Sequence, residues 1–168
     1  MQKRGKNVTV LSIAVLLIII SYYFYNYQKQ LKSEENYNTL GWQLYREGKY
    51  DEAIIEFKKY IKRNPKNFFA HTGMGWSFYK KGIYDESIES FKTAISIKND
   101  DFVPYNGLGW SYYRIKEYSN AILNFEYAIR LAPDYYEPYN GLGWSYHNLN
   151  FTEHYWEYNE KDRNNNLN

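Results

Sequence analysis

YNGLGWSYYRIKEYSNAILNFEYAIRLAP, residues 105–133, decides the fold, because its landmarks recur along the chain at one fixed step. Leu108-Gly109-Trp110 has counterparts in Leu40-Gly41-Trp42, Met74-Gly75-Trp76 and Leu142-Gly143-Trp144, each 34 residues from the next. Tyr118 answers to Tyr50 and Tyr84, Ala121 to Ala53 and Ser87, and Phe125 to Phe57 and Phe91. Pro133 lies two steps beyond Pro65, with Asn99 at the place between them. A period of this length marks a stack of supersecondary units, none of which buries its apolar face alone.

Within each unit the spacing is helical. Tyr37, Leu40, Gly41 and Leu44 fall at i, i+3, i+4 and i+7, one face of a helix. Glu47-Gly48-Lys49 reads as a turn. Tyr50, Ala53, Phe57 and Ile61 then mark the inner face of a second helix, which Asn64-Pro65 stops because Pro cannot continue it. Gly41, Gly75, Gly109 and Gly143 each cost about 1 kcal/mol relative to Ala inside a helix. A close approach of two helices offsets that cost, and Ala53, Ser87 and Ala121 are the small residues expected opposite.

The pattern resembles the tetratricopeptide repeat family, whose landmarks are met here by Tyr105, Leu108, Gly109, Tyr112, Ala121, Phe125, Ala128 and Pro133. The resemblance extends over about residues 34–150 and implies an all-α fold, an α-solenoid of antiparallel helical hairpins with about 3.5 repeat units. Those units are expected at 36–67, 68–101 and 102–135, with a partial fourth unit or capping helix at 136–163 and a disordered tail at 164–168. Three departures stand out. Tyr60 replaces a small residue, and Lys116 and Asn150 occupy the places where Gly48 and Gly82 turn. Residues 151–163, FTEHYWEYNEKDR, follow a capping-box pattern of Asn150 and Glu153. Their aromatics imply either a self-association or docking surface, hence a homo-oligomer, or a segment folded back on the fourth unit.

Ahead of the repeats, VTVLSIAVLLIIISYYF (8–24) runs seventeen residues without a charge, near the lower limit for a membrane-spanning helix. Tyr22, Tyr23, Tyr25 and Tyr27 follow, rings suited to a membrane interface. A cleaved signal peptide competes with this reading, but only Ser21 is small near the end of the run, and bulky rings follow it. The expectation is a basic tail at 1–7, a single-pass transmembrane helix at 8–25 and a polar stalk at 26–35. Lys3, Arg4 and Lys6 outweigh the more distant Lys29 and Lys32, which places the N-terminus in the cytoplasm and the repeats outside it.

The formal charge of +2 belongs to that tail. Without its three cations the rest holds 18 basic residues against 19 acidic ones, no footprint for nucleic acid. Cysteine is absent, so disulfides and thiolate metal sites are excluded. His71 occupies the slot of Tyr37, Tyr105 and Tyr139, which suggests packing. His147 and His154 straddle a turn without metal-ligand spacing. No catalytic constellation, metal site or cofactor loop is evident, and a binding module rather than an enzyme is expected.

In the family the first helices line a concave groove, and the resemblance places four series of residues there. Trp42, Trp76, Trp110 and Trp144 form the first, with Asn38, Thr72, Asn106 and Asn140 one turn before them. Tyr45, Tyr79, Tyr113 and His147 lie one turn after, followed by Arg46, Lys80 and Arg114. Trp rings facing the groove imply a ligand; rings wedged between hairpins merely stiffen the stack. Trp also occupies the slot of one Asn with which some relatives clamp a C-terminal carboxylate, which disfavours that mode. An extended peptide of a partner protein is the expected guest, and a polysaccharide strand is the alternative.

Overall fold

The structure, a computed structural model, describes residues 18–26 and 40–149. The chain divides into a unit ending at Tyr37 and a larger unit beginning at Asn38. In the first unit residues 18–26 are helical and their side chains are exposed, Ile18, Ile20, Tyr23 and Phe24 among them. The expected anchor at 8–25 lies largely outside the described residues, and among those described no helix is long and apolar enough to cross a membrane. The basic tail, residues 27–35 of the expected stalk, Asn38 and everything from Asn150 onward also lie outside them.

The second unit is entirely helical over its described residues. The described part of α1 covers 40–46, and α2 (Tyr50–Arg63), α3 (Phe68–Lys81), α4 (Tyr84–Ile97), α5 (Phe102–Arg114), α6 (Tyr118–Leu131) and α7 (Glu137–Asn148) follow. Each helix packs on its neighbours in sequence. Beyond that, α3 touches α5 and α5 touches α7, whereas α2, α4 and α6 do not touch one another. The first helices of the hairpins therefore form an inner layer and the second helices an outer one.

Local chemistry sets the boundaries. Asn67 and Asp101 cap α3 and α5, each accepting a backbone N–H from Ala70 or Val103. The hairpin turns close with a left-handed residue, Gly48 (φ 77°), Gly82 (φ 79°) and Lys116 (φ 67°). In all three, the N–H of that residue and of the next bond back into the helix, as with Gly82 to Tyr79 and Ile83 to Phe78. Lys116 thus adopts the glycine conformation despite its Cβ, a strained choice for an L residue.

The wedge that joins hairpins is a phenylalanine. Phe57, Phe91 and Phe125 are fully buried. Each lies between two glycines, sixteen residues before and sixteen after it. A Cβ added at Gly75 would lie 2.8 Å from the Phe91 ring, and one at Gly107 would lie 2.2 Å from it. Gly41 and Gly73 grip Phe57 in the same way, and Gly109 and Gly141 grip Phe125. The small residues expected opposite the glycines are therefore not what fills the gap; the phenyl ring is. Ser87 does meet its glycine, donating to the Gly75 carbonyl at 2.9 Å, and its hydroxyl also lies 2.9 Å from that of Ser111 in the next hairpin.

A second tether recurs between hairpins. The Nε2–H of His71 donates to the Pro65 carbonyl at 2.9 Å, as the hydroxyls of Tyr105 and Tyr139 donate to Asn99 and Pro133. A carbonyl only accepts, so His71 carries its proton on Nε2, and it packs as its slot in the repeat implies. Tyr60 is buried as well, and Asn67 donates to its hydroxyl.

Candidate functional site

A chain of four rings repeats in the first three hairpins, its middle two on the first helix of each and its two ends on the second. In the second hairpin Phe91 meets Trp76 edge to face at 5.2 Å, Trp76 meets Tyr79 at 5.7 Å, and Tyr79 meets Tyr84 at 5.8 Å. Phe57, Trp42, Tyr45 and Tyr50 repeat it in the first hairpin, and Phe125, Trp110, Tyr113 and Tyr118 in the third. In α7 only Trp144 and His147 remain among the described residues, and Trp144 is 46% exposed. Trp42, Trp76 and Trp110 are half-buried against the phenyl wedge, and the first two also line a cavity on the inner face. Exposure and packing are thus combined in one residue rather than being alternatives.

One cavity of about 320 Å³ opens on this face, in the range of small ligand sites. Trp42 and Tyr45 reach it from α1, Trp76 and Lys80 from α3, and Phe102, Val103 and Asn106 from α5. Tyr135 and Glu137, at the start of α7, complete it. Glu137 Oε2 accepts from Asn106 Nδ2 at 3.1 Å and from the Tyr135 hydroxyl at 2.8 Å. Asn106 is 2% exposed, and its Oδ1 has no hydrogen-bond partner. Burial pushes the Tyr45 hydroxyl up to about 12, aided by Tyr50 and by the Glu137 charge. Tyr135 also rises to about 12, through burial first and then its bond to Glu137. Burial raises Tyr79 too, with Arg114 beside its hydroxyl opposing the shift.

Five of the residues expected from sequence meet at this cavity: Trp42, Tyr45, Trp76, Lys80 and Asn106. Others are engaged elsewhere. Thr72 is buried and donates to the Phe68 carbonyl of its own helix. Trp110 and Tyr113 pack on the Ala121–Phe125 cluster, and the buried Nε1 of Trp110 has no partner. Arg114 lies over the Tyr84 ring at 5.1 Å. Arg46 and His147 are exposed and Asn140 is half-buried, none of them on the cavity. Phe102, Val103, Tyr135 and Glu137 were not expected. Phe102 has a counterpart in Phe68, but Glu137 breaks the pattern, standing where the preceding units have Val103 and Phe69.

Family profiles agree with this architecture. The description "Tetratricopeptide repeat" matches residues 34–67 and 104–135, and "TPR repeat" matches 75–116. The chain carries tetratricopeptide repeats. No curated protein matches the whole sequence closely enough to count as a relative. Among solved structures, the repeats are similar to MamA from Desulfovibrio magneticus RS-1, at 22% identity and TM-score 0.71, covering 78% of this chain and 76% of that one. A thermophilic TPR protein of Thermus thermophilus is similar at 23% identity and TM-score 0.69, with 77% and 72% covered. The first TPR domain of Spaghetti (RPAP3), bound to the HSP90 peptide SRMEEVD, is similar at 20% identity and TM-score 0.67, with 69% and 92% covered. At these identities the tetratricopeptide fold is what is shared.

Proposed function

We propose that the chain is a membrane-tethered interaction scaffold, not an enzyme, whose repeats hold an extended segment of a partner protein on their inner face. The observation that carries this reading is that one cavity draws Trp42, Trp76 and Asn106 from three successive first helices. A side chain seated there touches three hairpins at once, and the chain that carries it lies along the inner face that they share. Half-buried rings suit it: they present apolar area while the phenyl wedges hold them fixed, so little side-chain entropy is lost on binding. A photo-crosslinking residue at Lys80 should trap a protein in cells, whereas the same residue at Leu123, exposed on α6, should not. Equal capture from both positions overturns the reading. A tryptophan emission shift with oligosaccharides but not with peptides replaces the peptide by a glycan strand.

The tether rests on the uncharged run at 8–24, and the extracytoplasmic placement of the repeats on Lys3, Arg4 and Lys6 before it. Confinement to a surface raises local concentration, so a modest groove affinity suffices. The full chain should stay with membranes through an alkaline wash, and external protease should reach the repeats on intact cells lacking an outer barrier. Release by the wash removes the tether from the reading, and protection from the protease reverses the orientation.

A further inference from the structure

The cavity between α1, α3, α5 and the start of α7 has a chemical bias beyond its aromatic walls. Asn106, on its lining, holds a buried acceptor, Oδ1, without a donor. Such an atom costs about 1–3 kcal/mol when left unpaired, so a guest that donates there is favoured. Beside it, both bonds to Glu137 fall on Oε2, and no ion pair among the described residues involves this carboxylate. One N–H of the Asn106 amide is engaged by Glu137, and Asn106 Oδ1 and the second Glu137 oxygen remain as acceptors at this end of the cavity. Aromatic walls add attraction for a cation and none for an anion.

We propose that this cavity takes the basic side chain, lysine or arginine, of the peptide that the groove holds. Trp42, Trp76, Phe102 and Tyr135 surround the cation, while Glu137 and Asn106 Oδ1 accept its N–H bonds. This rests on the peptide reading of the groove and adds the chemistry of one anchor residue. A neutral donor such as an amide satisfies Asn106 but leaves the carboxylate without a counter-charge; an ammonium or guanidinium group satisfies both. The one cation among the described lining residues, Lys80, is exposed, and its flexible stem lets the ammonium move into solvent. Arg114 lies over Tyr84 and is not on the lining. A volume of about 320 Å³ fits one long side chain rather than a folded element.

The test titrates the full chain with blocked peptides of one length that differ at a central Arg, Lys, norleucine or Glu, read by tryptophan emission. The Arg and Lys peptides should bind at least about tenfold tighter than the norleucine peptide. Glu137→Gln should erase that preference by weakening the Arg and Lys peptides at least about tenfold. Lys80→Gln, at an exposed position that the fold does not need, should tighten the basic peptides about twofold. Tightest binding of the Glu peptide, weakened by Lys80→Gln, overturns the proposal in favour of an anion. Equal affinities overturn it while the peptide groove stands. Binding of N-acetyl-arginine amide as tight as that of the Arg peptide makes the site one for a free small cation. Silence toward every peptide, with a response to an oligosaccharide, removes both readings.

Discussion

Replacing Gly107 with Ala tests the phenyl wedge directly. The added Cβ falls 2.2 Å from Phe91 Cζ and 2.6 Å from Cε1 and Cε2, where ordinary contact begins at 3.4 Å. Ring and backbone must separate by about 1.2 Å on that side. Phe91 has nowhere to retreat. Gly75 holds its other side, Trp76 meets it edge to face at 5.2 Å, and the ring has no exposed surface. Ala recovers about 1 kcal/mol of helix propensity over Gly. Against this, overpacking costs about 1–3 kcal/mol, and a ring gripped from both sides belongs at or beyond the upper end. The net expectation is a loss of about 2 kcal/mol, which lowers the melting temperature by about 4–8 °C for a chain of this size. Urea and thermal unfolding, followed by circular dichroism and tryptophan emission, measure it. Phe91→Leu in the same chain shortens the ring and should recover at least about 1 kcal/mol of the Gly107→Ala loss in a double-mutant cycle. A Gly107→Ala protein that melts at or above the parent temperature, or strictly additive losses, would refute the wedge.

Two further outcomes follow from other features. Lys116→Gly removes the strain of a left-handed lysine, worth about 1–2 kcal/mol, but returns about 0.4–1 kcal/mol as extra freedom of the unfolded chain. Unfolding should therefore show a net gain of about 0.5–1 kcal/mol; a loss would mean that the Lys116 side chain contributes contacts outweighing its strain. Tyr45 and Tyr135 hold their protons to about pH 12, while an unfolded tyrosine loses its proton near 10. The neutral form is the one favoured in the fold, so this contribution is intact below pH 10 and is lost as pH rises from 10 toward 12. Phenolate absorbance should show late-titrating tyrosines, and Glu137→Gln should bring Tyr135 down; unchanged titration in that variant would remove Glu137 as a cause.

How much of this was legible in the sequence depends on whether a feature repeats. Gly-Trp recurs at all four steps and the buried phenylalanines at three, so the hairpins and their inner faces could be read directly. The partner of each glycine could not. Gly75 and Phe91 are joined through space across a turn, and Gly107 grips the same ring from the next hairpin, a contact that helical spacing within one unit does not report. The half-burial of Trp76 was equally hidden, because spacing fixes a ring's direction to within a helix face and not the tilt that rests it on Phe91. Glu137 was missed for the opposite reason. It breaks the pattern, and a comparison of units discards what breaks the pattern. The groove's general location was legible from its repeating residues, while its chemical individuality lies in the ones that do not repeat.

The double grip on each phenylalanine also bears on how such a chain can lengthen. A copied segment of 34 residues brings one ring, one glycine for its own hairpin and one for the hairpin before it, so the new seam closes with parts already made to fit. An insertion within the helices that is not a whole number of such units leaves a ring facing a helix with no gap to receive it. The wedge thus acts as a key cut for whole-unit duplication: the number of hairpins is free to change over time, but the size of the step is not.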